Sequence, residues 1–458
     1  MKAVDEVADI EPMASGAVKA SRDGFVRSVM VLSSGTAFAH ILQAASLPIL
    51  TRIYSPANFQ TAAVFQSLLF ILAIAACLRF DTAVSLAKDT TTVLRLVVLS
   101  LLSCVMTAAA MTILLLVIPN NVLLLIGDPS SVRYFWLLPI GIVLIGFIST
   151  FQSWHIREKS FKTLSLGKIT QTISLVATQI GMGVASIAPF GLIFGNLFQL
   201  FFGTAILGRR VLASMMSDDV AAVFNRRYLW KTAVENYRFP LYSTWESLAN
   251  VASIQLPLVI IGRFAIGPEA GYLLLAMTLM QAPLAILGTA IGQVFLSRAA
   301  DHYHSGTLGN FTADTIRSLA LIGLLPLLGI GILSPIAIGF VFGAEWSRSG
   351  WLILWMTPWF FMQFLASPTS MVLHVTGHQR DALILQVIGL VIRVAPVLVA
   401  CIFNRSFVSE VYAISGFIFY TIYLFRILNS TGFVLGDATR RSSKSQISVI
   451  HNLNKRSQ

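Results

Sequence analysis

The sequence predicts an all-α polytopic membrane protein with twelve transmembrane helices in two six-helix lobes around a central cavity. Three observations carry that prediction. Only 11% of the 458 residues are charged while 56% are hydrophobic, and mean hydropathy is +0.78. A soluble domain carries about 25% charged residues, so this chain cannot cover itself with a polar surface. The sequence also contains twelve apolar runs, each near the roughly 20 residues that cross a hydrocarbon core. A single long polar interior stretch, 208–238, divides those runs six and six.

The runs of the first lobe (28–207) are Ser28–Leu50, Phe59–Phe80, Leu94–Ile118, Tyr134–Trp154, Ser165–Ile187 and Pro189–Leu207. Those of the second lobe (239–428) are Phe239–Ile261, Ala270–Leu296, Ile316–Phe340, Gly350–Val375, Ala382–Phe403 and Phe407–Leu428. Pro189 and Asn404 mark turns where two runs nearly merge. A polar arm, 1–27, precedes the first run, and a basic tail, 429–458, follows the last.

The basic residues give the orientation. With the N-terminus inside, the outer loops hold only Arg52, Arg133, Arg263, Arg348 and Arg405, and the inner segments hold almost all the rest. That bias predicts cytoplasmic termini. The formal charge of +12 is therefore a topology signal, because no polar domain gathers it for nucleic acid. Cys77, Cys104 and Cys401 lie in separate apolar runs without a CxxC, so neither a disulfide framework nor a metal site is predicted. No GxxxxGK[ST] is present, no cofactor is implied, and the first outer loop, TRIYSPANF, contains no acid. Without a large outer loop the chain is not expected to be an enzyme.

An even number of spans per half places both halves in the membrane in the same sense, as in a parallel repeat. Leu47-Pro48, then Arg52 and Tyr54, then Pro56 and Phe59 of the first half have echoes in Leu256-Pro257, then Arg263-Phe264, then Pro268 and Tyr272 of the second. Inside the membrane an ionisable group costs about 2.5–3.5 kcal/mol, so it normally faces protein or water. At 1.5 Å per residue, Glu246 lies about 12 Å from the inner end of its run, Arg393 about 16 Å and His40 about 18 Å. Ser33, Thr36, His40 and Gln43 share one face of the first run, and Glu246, Asn250 and Ser253 share one face of the seventh. The two stripes predict a wet cavity between the halves. The alternative is that these groups satisfy one another in helix packing, or that Glu246 and Arg393 form a structural pair.

The opening helices resemble those of bacterial polysaccharide flippases. This is the O-antigen and exopolysaccharide export family within the multidrug/oligosaccharidyl-lipid/polysaccharide exporter superfamily. The residues that carry the likeness are Pro48, Leu50, Thr51, Arg52, Tyr54, Pro56 and Phe59, then Arg79-Phe80-Asp81. WHIREKSF at Trp154–Phe161, FPLYS at Phe239–Ser243, QAPLAILGTAIGQVFLSRAA at Gln281–Ala300, VFGAEW at Val341–Trp346 and SPTSMVL at Ser367–Leu373 continue it. The sequence departs from the family pattern at Gln60, where a glycine is usual, and at Met277-Thr278-Leu279, where relatives often carry arginine.

The resemblance implies a multi-pass protein of the bacterial cytoplasmic membrane that moves a polyprenyl-diphosphate-linked oligosaccharide by alternating access, coupled to an ion gradient. A polysaccharide polymerase and a chain-length regulator are the implied partners, beside membrane lipid, and a monomer is expected. Arg393, Arg52, Arg79, His40, Gln43 and Asn250 are the candidate substrate-binding residues, because arginine holds phosphate oxygens bidentately. Glu246 is the candidate ion-coupling residue. The competing readings are a cation-coupled multidrug antiporter of the same superfamily, a membrane enzyme of glycan assembly, and a non-transporting scaffold.

Overall fold

The computed structural model describes residues 33–87, 89–217, 223–305, 307–370, 372 and 379–431. Those residues form helices and turns, with no β-strand among them. The predicted arm, most of the tail, the centre of the interior stretch and the end of the tenth run lie outside the described residues.

Apolar runs become helices here because a bilayer offers the backbone no hydrogen-bond partner, so each N–H and C=O must pair within its own segment. The first six long helices are α1 (33–53), α2 (Pro56–Ile74), α4 (Thr90–Val117), α7 (Leu138–Arg157), α8 (Phe161–Val184) and α9 (Phe190–Ser217). Short helices α3 (Phe80–Leu86), α5 (Asn120–Ile126) and α6 (Pro129–Val132) lie between them. After α10 (Arg226–Glu235) come α11 (Thr244–Phe264), α12 (Glu269–His304), α13 (Leu308–Phe342), α14 (Ser347–Thr369), α15 (Gln379–Phe403) and α16 (Val408–Ser430). Among the described residues, nine helices are long and apolar enough to cross a membrane. Helices α1, α8 and α14 also stand where the sequence predicts spans. On α13 the side chains of Leu321, Leu325, Ile336 and Phe340 are each at least 70% exposed, which only a lipid-facing surface tolerates.

Several predicted boundaries move. Helix α9 runs on to Ser217, α12 reaches His304 and α13 begins at Leu308, so helix extends well past the apolar runs at the predicted inner face. Nothing obliges a helix to stop where the hydrocarbon stops, and polar residues are at ease in the interface. The interior stretch is accordingly partly helical, with α10 capped by the Asn225 side chain accepting from Arg227 N. The second predicted run, by contrast, breaks early. Helix α2 ends at Ile74, and the chain passes through Leu78 and Arg79 in left-handed conformation, φ 48° and 60°. Two consecutive non-glycine residues there are strained.

The two sets of six pack alike. In the first, α7 packs against α2, α4 and α9, and α9 against α8; in the second, α14 packs against α12, α13 and α16, and α16 against α15. Helix α1 meets α8 at Gly35, where a Cβ would stand 2.0 Å from Ser165 Oγ, while α11 meets α15.

Helix α2 joins the sets by lying against both α11 and α12. At the predicted outer end the join is tight. A Cβ on Gly271 would lie 2.1 Å from Pro56 O, and one on Gly262 would lie 2.4 Å from Val64 Cγ2. Gln60 Nε2 donates to Gly262 O at 3.2 Å, so the residue that replaces the family's glycine spans this seam. Trp346 Nε1 donates to Thr51 O at 3.1 Å and its ring meets Phe59 edge-on, with centroids 4.8 Å apart.

The N-terminal ends of α12, α14 and α16 converge on Arg348. Its Nε donates to Glu269 Oε1 at 2.9 Å, its Nη1 lies 2.7 Å from Glu410 Oε1, and Ser409 Oγ donates to Glu269 Oε2 at 2.5 Å. Glu269 and Glu410 are buried in the first turns of α12 and α16, and Arg348 lies in the first turn of α14. Two carboxylates to one guanidinium leave a net negative charge, which suits three positive helix N-termini. Arg348→Ala would strand both buried carboxylates. Loss of one partner of a buried pair costs about 3–5 kcal/mol, which the partial exposure of Arg348 reduces to about 2–3 kcal/mol. The purified variant should unfold several degrees below wild type in a thermal melt, and adding Glu410→Gln should restore part of that loss.

Candidate functional site

A cavity of about 260 Å³ lies where the two sets of helices meet. Helix α1 contributes His40, Gln43, Leu47 and Leu50, and α2 contributes Phe59, Ala62, Ala63, Gln66, Ser67 and Phe70. From α8 and α9 come Leu175, Gln179, Leu192 and Asn196; from α11 and α12 come Gln255, Leu258, Leu274, Met277, Thr278 and Gln281. Its polar lining includes six carboxamides, on Gln43, Gln66, Gln179, Asn196, Gln255 and Gln281, and contains no formally charged side chain.

Three of the amides form a connected set. Gln66 Nε2 lies 3.5 Å from Asn196 Oδ1, and both Asn196 Nδ2 and Gln179 Nε2 donate to Leu192 O, at 3.0 and 3.3 Å. Ser67 Oγ donates to Gln255 Oε1 at 2.9 Å, joining α2 to α11 across the middle of the molecule. Each amide can both donate and accept, so the wall matches a ligand rich in hydroxyl groups. Gln179 is further placed by Tyr54, whose hydroxyl donates to the Gln179 carbonyl at 2.8 Å. Burial pushes the Tyr54 phenol up to about 12, so it stays a donor at any physiological pH.

A second pocket, of about 230 Å³, adjoins the first and shares Phe70 and Gln255 with it. Arg79, Asp81, Cys77 and Ser149 line it toward the predicted inner face. Ser149 Oγ donates to Asp81 Oδ2 at 2.6 Å, while Asp81 Oδ1 and Arg79 Nε are buried without a hydrogen-bond partner. The left-handed turn at Leu78-Arg79 delivers the guanidinium into this pocket, a strained backbone at a candidate site.

The structure therefore brings together His40 and Gln43, with Arg79 next door. The other predicted site residues lie elsewhere. Arg393 is fully buried inside the second set of helices, with its guanidinium 4.8 Å from the Trp359 and Phe419 ring centroids and 5.2 Å from that of Tyr420. The packing of α15 on α11 and α16 turns it away from the cavity. Arg52 is a seam residue, its Nη2 3.5 Å from Phe340 O and Val341 O. The predicted stripe on α11 also points away. Asn250 is exposed, Ser253 is buried and donates to Asn250 O, and Glu246 is half-buried on the side that meets Tyr423 of α16. The cavity takes Gln255 and Leu258 of α11 instead. Nor do Glu246 and Arg393 form an ion pair.

Sequence reasoning passed over Gln66, Gln179, Asn196, Gln255 and Gln281 because it weighted ionisable groups. The available signal was the number of amides in otherwise apolar runs, each costly in lipid unless it faces protein or water. The uncharged Met277-Thr278 segment also falls on the cavity wall, where the family resemblance led one to look for arginine.

The same fold is found in solved transporters of the MOP superfamily. A multidrug resistance MATE family transporter of that superfamily in an inward-facing conformation superposes with a TM-score of 0.66 at 14% identity, covering 89% of this chain and 99% of that one. The lipid II flippase MurJ in an inward closed conformation superposes with a TM-score of 0.68 at 13% identity, covering 88% of this chain and 89% of that one. A MOP superfamily transporter from Pyrococcus furiosus gives 0.61 at 14% identity, over 88% and 95%. No curated protein matches the sequence. A family model described as polysaccharide biosynthesis protein matches residues 49–350, more than half of the chain, and the chain belongs to that family. The resemblance read in the opening helices is thereby borne out.

The cage around Arg393 makes a separable prediction. Arg393→Ala would remove contact with three rings and leave a void, at a cost of about 3 kcal/mol. Purified Arg393→Ala should melt well below wild type, while Gln255→Ala should melt within a degree or two of it.

Proposed function

We propose that the protein flips a polyprenyl-diphosphate-linked oligosaccharide from the inner to the outer leaflet of the bacterial cytoplasmic membrane, for cell-surface polysaccharide synthesis. The observation that carries this reading is the uncharged, carboxamide-lined cavity between the two sets of helices, in a chain of the polysaccharide biosynthesis family. Glycan hydroxyls exchange hydrogen bonds with amides in both directions, and the leucines and Phe70 between them supply apolar faces for sugar rings. An organic cation, by contrast, would find no carboxylate on this wall.

In this reading the twelve long helices all span the membrane in two six-helix lobes, with both termini cytoplasmic. The repeated packing order of the two sets supports that division. The tight seam through Thr51, Gln60, Trp346 and Gly271 then closes the outer side, and the Arg79 pocket forms the inner approach. Transport proceeds by opening that seam as the inner side closes, without nucleotide hydrolysis. Glu246 is the proposed ion-coupling residue, half-buried at the inner end of α11 beside α16. Asn250, one turn further along, stands near it.

Deleting the gene should stop surface polysaccharide and leave the lipid-linked oligosaccharide on the inner leaflet, protected from externally added glycosidase. A paired Asn196→Ala and Gln255→Ala variant should export at less than about a tenth of the wild-type rate at normal protein level, since each lost amide costs about 1 kcal/mol or more. Ethidium efflux should be unchanged by the deletion. If efflux falls and surface polysaccharide persists, the antiporter reading takes its place.

Glu246→Gln should lower export while leaving the thermal melt unchanged. Unaltered dependence of export on the ion gradient in that variant would remove Glu246 from the coupling role.

A further inference from the structure

The cavity solves the recognition of a glycan and leaves a diphosphate without a counter-charge. Four cations within or at the ends of the long helices are already engaged. Arg52 faces the carbonyls of Phe340 and Val341, and Arg263 Nε donates to Leu124 O at 2.8 Å. Arg348 is held by two carboxylates and Arg393 by three rings, while Arg79 lines the neighbouring pocket with Asp81, its Nε without a hydrogen-bond partner.

Lys168 differs from all of these. It lies on α8, half-buried, with no ion pair and no side-chain hydrogen bond among the described residues. It precedes the cavity-lining residues Leu175 and Gln179 by seven and eleven positions, and so continues their face of the helix toward the predicted inner end. At 1.5 Å per residue it sits about 10 Å below Leu175. Close packing of α1 on α8 at Gly35 and Ser165 brings His40 to the same level, and Lys168 is within electrostatic reach of the His40 ring. His40 itself lines the cavity. Ser33 Oγ, on the same stripe of α1 nearer the inner end, is buried without a partner.

We propose that Lys168, with His40, forms an anion subsite at the inner end of the cavity that takes the phosphate groups of the lipid-linked substrate. The glycan then lies above it against the amides. Lysine suits the task as a compact charge on a flexible stem that can follow a phosphate through a conformational change, where a bidentate arginine would fix it. With no carboxylate on the cavity wall, the favourable charge interaction becomes available only when the anion arrives. The inference rests on the flippase reading and names where its anionic group is held.

The test uses full-length wild-type protein, Lys168→Gln and Lys168→Arg in nanodiscs, with farnesyl diphosphate, farnesyl phosphate, farnesol and inorganic pyrophosphate as probes. Wild type should bind farnesyl diphosphate, and Lys168→Gln should bind it at least about tenfold more weakly, the effect of losing a charge-assisted contact. Lys168→Arg should keep most of the affinity, and farnesol should not distinguish the three proteins. Pyrophosphate binding that also depends on Lys168 would mean that the phosphate alone is recognised. Dependence confined to the prenylated probes would mean that the lipid must be attached. Equal binding of farnesyl diphosphate by wild type and Lys168→Gln, or no binding by wild type, overturns the subsite. The deletion phenotype judges the flippase reading separately, because it does not depend on where the diphosphate sits.

Discussion

The rest of the structure depends on the close approach of α2 to α11 and α12. Lipid tails are as apolar as leucine, so helices in a membrane gain little by simply burying apolar side chains. They associate where small residues let backbones approach and hydrogen bonds form. Gly262 and Gly271 provide that approach at one end of α2, and the Ser67–Gln255 hydrogen bond provides the link in the middle. Beyond Ile74 the helix stops and the chain turns away. The two sets of helices are therefore pinned at the predicted outer end and joined more loosely below, and the space left beneath the pin is the cavity.

Polar side chains divide the work between holding and binding. The charged groups with definite partners are at the periphery or sealed off: Arg348 between Glu269 and Glu410, Arg52 at the seam, and Arg393 in its aromatic cage. Each is a structural solution to placing charge where water is scarce. The amides around the cavity carry the opposite character. They are only partly satisfied by neighbours, Leu192 O being shared between Gln179 and Asn196, so capacity remains for a ligand.

Much of this was legible in the sequence. Composition and run length identified the fold class, because both follow directly from the thickness and dryness of a bilayer. The likeness of Pro48–Phe59 and the Arg79-Phe80-Asp81 end led to the correct family. His40 and Gln43 were found by periodicity, which fixes a shared face. Which face meets the cavity was another matter for Glu246, Asn250 and Arg393, since depth along a helix says nothing about its rotation. On α11 the rotation is set by contacts with α2 on one side and α15 on the other, all between residues distant in sequence. The early end of α2 was hidden for a similar reason, as nothing in the apolar run from Phe70 to Cys77 marks a break.

The seam has one more property. Of the eight tryptophans in the chain, Trp346 is 1% exposed and sits with its indole N–H on Thr51 O and its ring against Phe59 and Tyr272. Any motion that parts α1 and α2 from α13 and α14 must break that hydrogen bond and wet the ring together. The Trp346 indole is thus a built-in optical reporter of whether the seam is closed.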